Sequence, residues 1–349
     1  MIRVTLIAAF VVAACLPRCV TADDTPELAA RVERAVALIQ ASATRYTEER
    51  KCFSCHHQTL SALAVQNAAA AGWAADKPAV RQQSEFTIRY FAELRDKVAA
   101  GEGVLGGPYT AGYALAGLAA DGWPADDVTA ALVQYLLQRQ QEDGRWKIQT
   151  HRPPLEDSDF TATALAVRGL RLYATAEQRQ AIEERCIRAL GWLADAEPQS
   201  TEDQTLRLLG LHWCRDITAA TLEDQERRSR ATLQAVERLL GEQRQDGGWG
   251  QTADSTSDAY ATGQALFALS EAGGVAADRP EWARGKEWLL SSQLPDGSWL
   301  VTTRSKAIQE YFESGFPHDE SQFISICGTC WAVMALSKDK AGNAPASSE

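Results

Sequence analysis

The residues of this chain best suited to chemistry lie near its start, where two thiols are followed at once by an imidazole. Cys52 and Cys55 stand three residues apart, and His56 comes directly after them. This spacing suits covalent attachment of a c-type haem, because the thiols add to the porphyrin vinyl groups while the imidazole supplies the proximal axial nitrogen. We therefore predict a haem c at this motif, with His318, Met334 or no protein group as its distal ligand.

A second pair of thiols, Cys327 and Cys330, repeats this spacing close to the other end of the chain. Together with Cys52 and Cys55 it would give zinc four sulfur ligands, with His56 as a nitrogen donor beside them. A third interpretation is that these thiols form disulfides or stay reduced in the core. Because a zinc site leaves His56 without a role, haem is the preferred prediction, and it implies a redox or electron-transfer function with a redox partner.

Acidic residues form the second candidate site. Asp157 and Asp159 lie in the run EDSDFTA at residues 156–162, directly before an apolar helical segment. A carboxylic acid that burial and a neighbouring carboxylate keep protonated is able to protonate an alkene, which makes both residues candidate catalytic acids. The alternative is that Ser158 or Asp159 only caps the helix, as Asp258 would in a later repeat.

The elements that must hold these residues repeat along the chain with a period of about 50 residues. A marker reads QQEDGRW at residues 140–146, QRQDGGW at 243–249 and QLPDGSW at 293–299. Each marker follows an amphipathic helical pattern and precedes an alanine-rich one, and its Asp-Gly pair is a turn signal. The repeating unit is therefore a helical hairpin.

Counting on this template gives six helical hairpins, and six hairpins that close on themselves make an all-α (α/α)6 toroid. The outer helices are predicted over residues 27–47, 78–99, 124–140, 177–195, 220–243 and 280–293. The inner helices are predicted over residues 56–71, 109–120, 159–173, 202–214, 257–272 and 321–337. Closure makes the first and sixth hairpins neighbours, so the two thiol pairs and His318 are expected at one mouth of the ring.

The markers at 243–249 and 293–299 resemble the QW repeats of squalene–hopene cyclases, whose toroid protein prenyltransferase β-subunits share. The resemblance covers most of residues 120–337 and implies this fold, with the Trp and Gln of each marker in structural roles. It also implies a terpenoid-cyclase-like lyase or isomerase, or an isoprenoid-binding protein, with a small hydrophobic ligand in an apolar central cavity.

The acidic run resembles the Asp-x-Asp-Asp-Thr-Ala acid motif of the same cyclases. Asp159 takes the place of the central proton donor, Asp157 that of the first Asp, and Phe160 stands where the motif has its last Asp. Squalene–hopene cyclases resemble two fused toroids, whereas 349 residues suffice for one. Chain length therefore argues against a triterpene cyclase.

Composition and the N-terminus limit the class of protein further. Hydrophobic residues make up 45% of the chain and charged residues 23%, as in ordinary globular proteins, and the net charge of −11 argues against nucleic-acid partners. Residues 1–22 read as an export signal, with Arg3 before a short apolar stretch, so a periplasmic or secreted location is predicted. Cys15 is an alternative lipid anchor, and no later apolar run is long enough to span a membrane.

Residues 23–337 are predicted to form one domain and 338–349 a disordered tail. Cys186 and Cys214 fall at the same end of the fourth hairpin, so a disulfide worth about 2–4 kcal/mol is predicted between them. A scaffold held by disulfides, without a cofactor or a reaction, is thus a third functional hypothesis. Residues 300–322, between the helices of the sixth hairpin, are the expected lid.

Overall fold

Two concentric rings of helices make up the computed structural model, which describes residues 24–307 and 310–341. The outer helices are α1 (Asp24–Glu49), α3 (Lys77–Ala92) with the short α4 (Arg95–Ala99), α6 (Asp127–Arg139), α8 (Arg179–Asp195), α10 (Leu222–Gly241) and α12 (Pro280–Ser292). The inner helices are α2 (Leu60–Ala70), α5 (Pro108–Ala120), α7 (Asp159–Leu172), α9 (Thr201–Trp213), α11 (Ala259–Glu271) and α13 (Gln322–Ala341). The described ranges contain no strand, and the predicted all-α toroid is confirmed.

The helix bounds differ from the predicted ones in three informative places. The helix predicted over residues 78–99 is divided into α3 and α4. The first inner helix opens with one π-helical turn over Cys55–Thr59, directly at the CxxCH motif. Helix α13 continues to Ala341, past the predicted end at residue 337. The predicted export signal, the Cys15 anchor and the end of the predicted tail lie outside the described residues.

The inner helices pack in sequence order around the ring, and α13 returns to pack against α2 and α1. Small residues permit this close approach: a Cβ at Gly263 on α11 would lie 2.6 Å from the backbone carbon of Trp331 on α13. The predicted contact between the first and the sixth hairpins is therefore present. None of the helices in the described part of the chain has the length and apolar character to cross a membrane.

The glutamines of the markers tie each hairpin to the next outer helix. The side-chain amides of Gln140 and Gln243 donate to the carbonyls of Arg185 on α8 and Glu281 on α12, at 2.8 and 2.6 Å. In the same way the Gln293 amide donates to the carbonyl of Arg31 on α1, at 3.1 Å. That last bond joins the sixth hairpin to the first and so closes the outer ring.

The tryptophan of each marker holds its turn against the preceding outer helix. The indole N–H groups of Trp146, Trp249 and Trp299 donate to carbonyls in the preceding outer helix at 2.7 to 2.8 Å, and all three side chains are buried. Buried indole N–H groups need such a partner, since an unpaired polar group in the core is costly. The structural role that the sequence resemblance implies for these residues agrees with this geometry.

The tight contact between α11 and α13 yields a stability test. We expect Gly263→Ala to lower the free energy of unfolding by about 1–3 kcal/mol, because the added methyl group overpacks the seam against Trp331. Gly241→Ala is the matched control, since nothing lies within 4 Å of its Cβ and the change raises helix propensity. Urea unfolding of both variants measures the difference; equal stabilities would contradict the packing described here.

Candidate functional site

The N-terminal turns of the six inner helices meet at one mouth of the ring, and the second residue of each helix forms one layer there. This layer consists of His56, Tyr109, Phe160, Glu202, Tyr260 and Phe323. Five of these side chains are aromatic rings, counting the imidazole, and one is a carboxylate. Glu202 is therefore the one side chain of these six that carries a carboxyl group.

Glu202 is almost completely buried and accepts three hydrogen bonds from neighbouring inner helices. The Thr161 hydroxyl donates to Oε1 at 2.7 Å. The Tyr260 hydroxyl and the Gln264 amide donate to Oε2 at 2.8 and 2.7 Å. These contacts hold the carboxyl group in one position at the centre of the mouth.

Two opposing effects set the proton affinity of this carboxyl group. Burial disfavours the charged form and is the larger effect, while the donors from Thr161, Gln264 and Tyr260 favour it. The balance raises the pKa of Glu202 to about 7. A carboxyl group of this kind is partly protonated at neutral pH, which is the state that a general acid needs.

Glu202 borders a cavity of about 650 Å³, which we call the acid cavity. Its apolar wall consists of Ile148, Pro153, Pro154, Phe160, Trp192 and Ala196, and its polar wall includes Lys147, Asp159, Gln251 and Arg304. The volume lies in the range of small-molecule sites, about 300–1,000 Å³. A titratable acid and a ligand-sized cavity thus coincide at the mouth of the ring.

The structure places the predicted acids Asp157 and Asp159 in other roles. Asp159 accepts a hydrogen bond from the backbone N–H of Ile148 at 2.7 Å and forms an ion pair with Arg145 at 3.2 Å. Asp157 forms an ion pair with the exposed imidazole of His151. Both carboxylates hold the loop before α7 and also border the acid cavity, and their catalytic role stays a prediction from the sequence.

The helix-capping alternative for this run is correct, with Ser158 as the cap. Its hydroxyl accepts from the Thr161 N–H at 3.2 Å and donates to Asp203 at 2.5 Å. Asp258 caps α11 in the same way, accepting from the Ala261 N–H at 2.9 Å. The two residues therefore share the function that their places in the repeats indicate.

In the CxxCH motif the two thiols face different neighbours. The Cys52 thiol lies 3.3 Å from the Tyr46 hydroxyl and is partly exposed. Cys55 is buried inside the ring, where the Tyr109 hydroxyl donates to its sulfur at 3.4 Å. Burial raises the pKa of Cys55 to about 12, so this thiol stays protonated and unreactive.

His56 borders a second cavity, of about 220 Å³, which we call the His56 cavity. A haem would have to fill it, bond both Cys52 and Cys55, and place its iron on His56. The imidazole is suitably placed, but the cavity is smaller than a drug-sized site, and the Cys55 thiol points into the packed interior. The arrangement does not fit a haem, which stays a prediction from the sequence.

His318, the predicted distal ligand, has another partner: its Nε2 lies 2.8 Å from the Ser298 hydroxyl. Cys327 and Cys330 are buried, and the Cys327 thiol donates to the Phe323 carbonyl at 3.0 Å. Among the residues that the structure describes, no group of three or more His, Cys, Asp or Glu side chains is arranged to hold a metal ion. The alternative zinc site at His56 and the four thiols therefore has no support.

The predicted Cys186–Cys214 disulfide is not formed in the structure, where both thiols are free and buried. The two residues do lie together at one end of the fourth hairpin, as expected. However, the Cys214 thiol is directed to the Cys186 carbonyl, at 3.7 Å, and makes a weak hydrogen bond with it. Free thiols at all six described cysteines also leave the disulfide-held scaffold without support.

Sequence reasoning missed Glu202 for a clear reason. In the run Ser200-Thr201-Glu202-Asp203 the acidic residues read as helix-start residues, and Asp203 does accept from the Gln199 N–H at 2.9 Å. The available signal was position: Glu202 occupies the second helical residue of α9, the place that Phe160 takes in α7.

The fold is a terpene-cyclase-like α/α toroid. Residues 214–348 match the family model described as "Squalene-hopene cyclase C-terminal domain". No curated protein matches the chain. The family match covers the C-terminal part, where two of the three markers lie.

Solved structures with this fold include the type II terpene cyclase MstE from Scytonema, without ligand. It is 18% identical, with a TM-score of 0.57 over 90% of this chain and 98% of that one. A variant of MstE with one residue replaced, in complex with the substrate geranylgeranyl dihydroxybenzoate, is 17% identical, with a TM-score of 0.56 over 90% of this chain and 99% of that one. A possible member of the GH105 family from Klebsiella pneumoniae is 13% identical, with a TM-score of 0.55 over 97% and 99% of the two chains.

The MstE comparison concerns type II terpene cyclases, whereas the chain-length argument above applies to triterpene cyclases. Because the match covers nearly all of both chains, a type II terpene cyclase of about this length exists. A single toroid is therefore sufficient for that class of enzyme, and 349 residues do not exclude it.

The raised pKa of Glu202 predicts how stability depends on pH. The folded protein keeps this proton up to about pH 7, whereas an unfolded Glu releases it near pH 4.3, so stability falls as pH rises between these values. In Glu202→Gln we expect the decrease in the free energy of unfolding over this pH range to be smaller than in wild type, by up to about 3 kcal/mol. Urea unfolding at pH 5 and pH 8 measures it, with the exposed Glu142→Gln as control; parallel losses in Glu202→Gln and wild type would contradict the assignment.

The misfit of the haem is tested by a spectrum. We expect protein exported from a host competent in haem attachment to show no Soret band after acid–acetone extraction, because the Cys55 thiol is held inside the ring. The Cys52→Ala/Cys55→Ala double variant is the control and should give the same spectrum. A band that the wild type keeps and this variant lacks would establish the haem.

Proposed function

We propose that this protein is a terpene-cyclase-like isomerase in which Glu202 protonates an isoprenoid chain bound in the acid cavity. The observation that carries the proposal is a buried carboxyl group with a pKa near 7 beside a cavity of about 650 Å³. The fold comparisons support it, because toroids with this arrangement of helices include type II terpene cyclases.

In the first step the O–H bond of neutral Glu202 breaks and its proton forms a C–H bond with a terminal alkene. The substrate becomes a carbocation, and the π electrons of the next double bond form a C–C bond to the cationic carbon, which moves the positive charge to a new carbon. The final carbocation loses a proton from carbon, so the overall reaction is an isomerisation. No redox cofactor is needed.

The carboxylate that remains is stabilised by the groups already around it. Hydrogen bonds from Thr161, Tyr260 and Gln264 are in place before the proton leaves, so the charge develops in a preorganised site. The same three bonds keep the pKa of Glu202 from rising further under burial. Glu202 is therefore partly protonated at neutral pH, and its carboxylate is stabilised once the proton has left.

Residues 303–305 of the connection before α13 line the two cavities. Arg304 donates to the Gln251 side chain at 2.6 Å, and the Ser305 hydroxyl donates to the Pro153 carbonyl at 2.6 Å. These bonds join residues 303–305 to the loops of the third and fifth hairpins. Exclusion of water matters here, because water would capture the carbocation before ring closure.

The test is turnover of a polyprenyl substrate, with geranylgeranyl dihydroxybenzoate, the ligand of the MstE complex, as the first probe. We expect product from the wild type and a loss of about 100-fold or more in kcat for Glu202→Gln, because a general acid contributes about 10²–10⁴-fold. Glu142→Gln is the control for an exposed carboxylate.

Asp159→Asn separates the two acid assignments. We expect it to lower turnover less than tenfold, since Asp159 is bound to Arg145 and to the backbone of Ile148. A large loss of turnover in Asp159→Asn with near-normal turnover in Glu202→Gln would instead assign the general acid to the run at residues 156–162. Absence of product from polyprenyl substrates of several lengths would refute the cyclase proposal itself.

We place this activity in an exported protein, on the strength of the signal-like residues 1–22. An electron-transfer role would need the haem that the CxxCH arrangement does not fit, so it is not part of the proposal. Fractionation of a culture into cytoplasm and exported protein tests the location independently of the activity.

A further inference from the structure

The C-terminal ends of the inner helices meet at the other end of the ring, which we call the second mouth. A cluster of charged and titratable side chains lies there on α7, on and just after α9, on α11 and on α13: Arg168, Arg171, His212, Arg215, Glu271 and Lys338. Four of these six side chains are cations and one is an anion, in a chain whose net charge is −11. The cluster is therefore basic although the protein is acidic.

Most cations of the second mouth have a partner within the protein. Arg171 donates to the carbonyl of Arg215, just past the end of α9. The Arg215 guanidinium in turn forms an ion pair with Asp216 at 3.3 Å. The ammonium group of Lys338 lies 2.6 Å from the carboxylate of Glu271. These contacts account for three of the four positive charges.

Arg168 on α7 is the fourth cation. Its side chain is half-buried, and it forms no ion pair and no hydrogen bond with any residue that the structure describes. Its guanidinium carbon lies over the face of the Trp213 ring, 5.4 Å from the ring centre. A guanidinium stacked on an aromatic ring keeps the N–H groups at its edge available for oxygen acceptors.

The surroundings of Arg168 disfavour its positive charge. Burial is the largest cause of its lowered pKa, and the charges of Arg215 and Arg171 lower it further. The carboxylate of Glu271 acts in the opposite direction, but it is already bound to Lys338. A partly desolvated charge without a hydrogen-bonded counter-ion is costly, so an anion that binds Arg168 would be stabilised at this place.

Arg228 on α10 adds a further positive charge beside the end of α9. It too is half-buried, and within the described ranges its side chain has no ion pair and no hydrogen bond. Burial is the main cause of the lowered pKa of His212, and the charges of Arg215, Arg168 and Arg228 contribute to it. Three arginines from different elements therefore act on one point of the second mouth.

We propose that the second mouth is a binding site for a phosphate group, with Arg168 as its bidentate donor. The planar guanidinium of Arg168 matches two phosphate oxygens, as in other arginine–phosphate pairs. A phosphate group carries about two negative charges at neutral pH, whereas a carboxylate carries one. Phosphate therefore suits a site where Arg215 and Arg228 add their charges to that of Arg168.

This site is independent of the function proposed for Glu202. Glu202 and Trp213 lie near opposite ends of α9. Their separation along the helix axis is about 16 Å, at 1.5 Å per residue. A phosphate group on Arg168 therefore does not contact Glu202, and the result of a binding experiment at the second mouth does not depend on turnover of a polyprenyl substrate.

Calorimetric titration with inorganic phosphate at constant ionic strength tests the site. We expect the wild type to bind phosphate and Arg168→Gln to bind it at least tenfold more weakly, because both the charge and the bidentate contact are lost. Arg168→Lys keeps the charge without the planar guanidinium, and we expect it to bind at least threefold more weakly than the wild type.

Arg185→Gln is the matched control for this titration. Arg185 is also half-buried and burial also lowers its pKa, but it lies on the outer helix α8. We expect this variant to bind phosphate as the wild type does. Absence of binding to the wild type, or equal binding by Arg168→Gln and the wild type, would overturn the proposal.

Chemical modification tests the same site without any variant. Phenylglyoxal modifies accessible guanidinium groups, and the modified positions are read by peptide fragmentation in a mass spectrometer. We expect inorganic phosphate to slow modification of Arg168 at least threefold, whereas the exposed Arg179 at the start of α8 should react at an unchanged rate. Equal rates at Arg168 with and without phosphate would contradict the assignment.

Octyl phosphate distinguishes a free phosphate ion from the phosphate group of a ligand with an alkyl chain. Leu172, at the end of α7, is 37% exposed and offers such a chain an apolar contact. Octyl phosphate that binds at least tenfold more tightly than inorganic phosphate would indicate a chain-bearing ligand, and equal affinities would indicate the free ion. Octanol is the control: if it bound as tightly as octyl phosphate, the phosphate group would have no role and the proposal would be wrong.

Discussion

Closure of the inner ring is the constraint on which the rest of this structure depends. Helix α13 packs against α11 on one side and α2 on the other, and Gln293 bonds the carbonyl of Arg31 across the same seam. Glycine at position 263 lets the backbones approach, since a Cβ there would meet Trp331 at 2.6 Å. Because the ring is closed, the six inner helix starts converge on one mouth.

That convergence explains how an all-α protein with a packed core contains a buried acid. A single carboxyl group in an aromatic layer would be costly without partners. Glu202 receives one donor from α7 and two from α11, so both neighbouring inner helices share in satisfying it. These hydrogen bonds offset only part of the effect of burial, which leaves the pKa of Glu202 near 7. Burial acts in the same way at His56 and His57, where it lowers the pKa of both imidazole rings.

The CxxCH motif illustrates why a short pattern predicts chemistry less well than it predicts structure. As a sequence it specifies two thiols and an imidazole within five residues, which is sufficient for haem attachment only if they face one space. Ser54 caps the first inner helix here, and the chain turns between Cys52 outside this helix and Cys55 inside the ring. The motif in this toroid therefore presents one imidazole to a cavity and buries one thiol. Asp159, in the acidic run, shows the same effect, because its carboxylate binds the Ile148 N–H and Arg145 and holds the loop before α7.

The fold class, the six hairpins and most helix bounds are predictable from the amino-acid sequence alone. These follow from local physics: 3.6-residue apolar periodicity, Asp-Gly turns, and markers whose Gln and Trp bond within one repeat and to the next. The sequence also predicts that the first and sixth hairpins are neighbours, because six such repeats close a ring. Which polar side chains share a space depends on the tertiary structure. The partners of Glu202 come from positions 41 to 62 residues away in the chain, and those of His57 include Ser42 on an outer helix. Burial, hydrogen-bond satisfaction and pKa are properties of such assembled neighbours, and a one-dimensional pattern does not contain them.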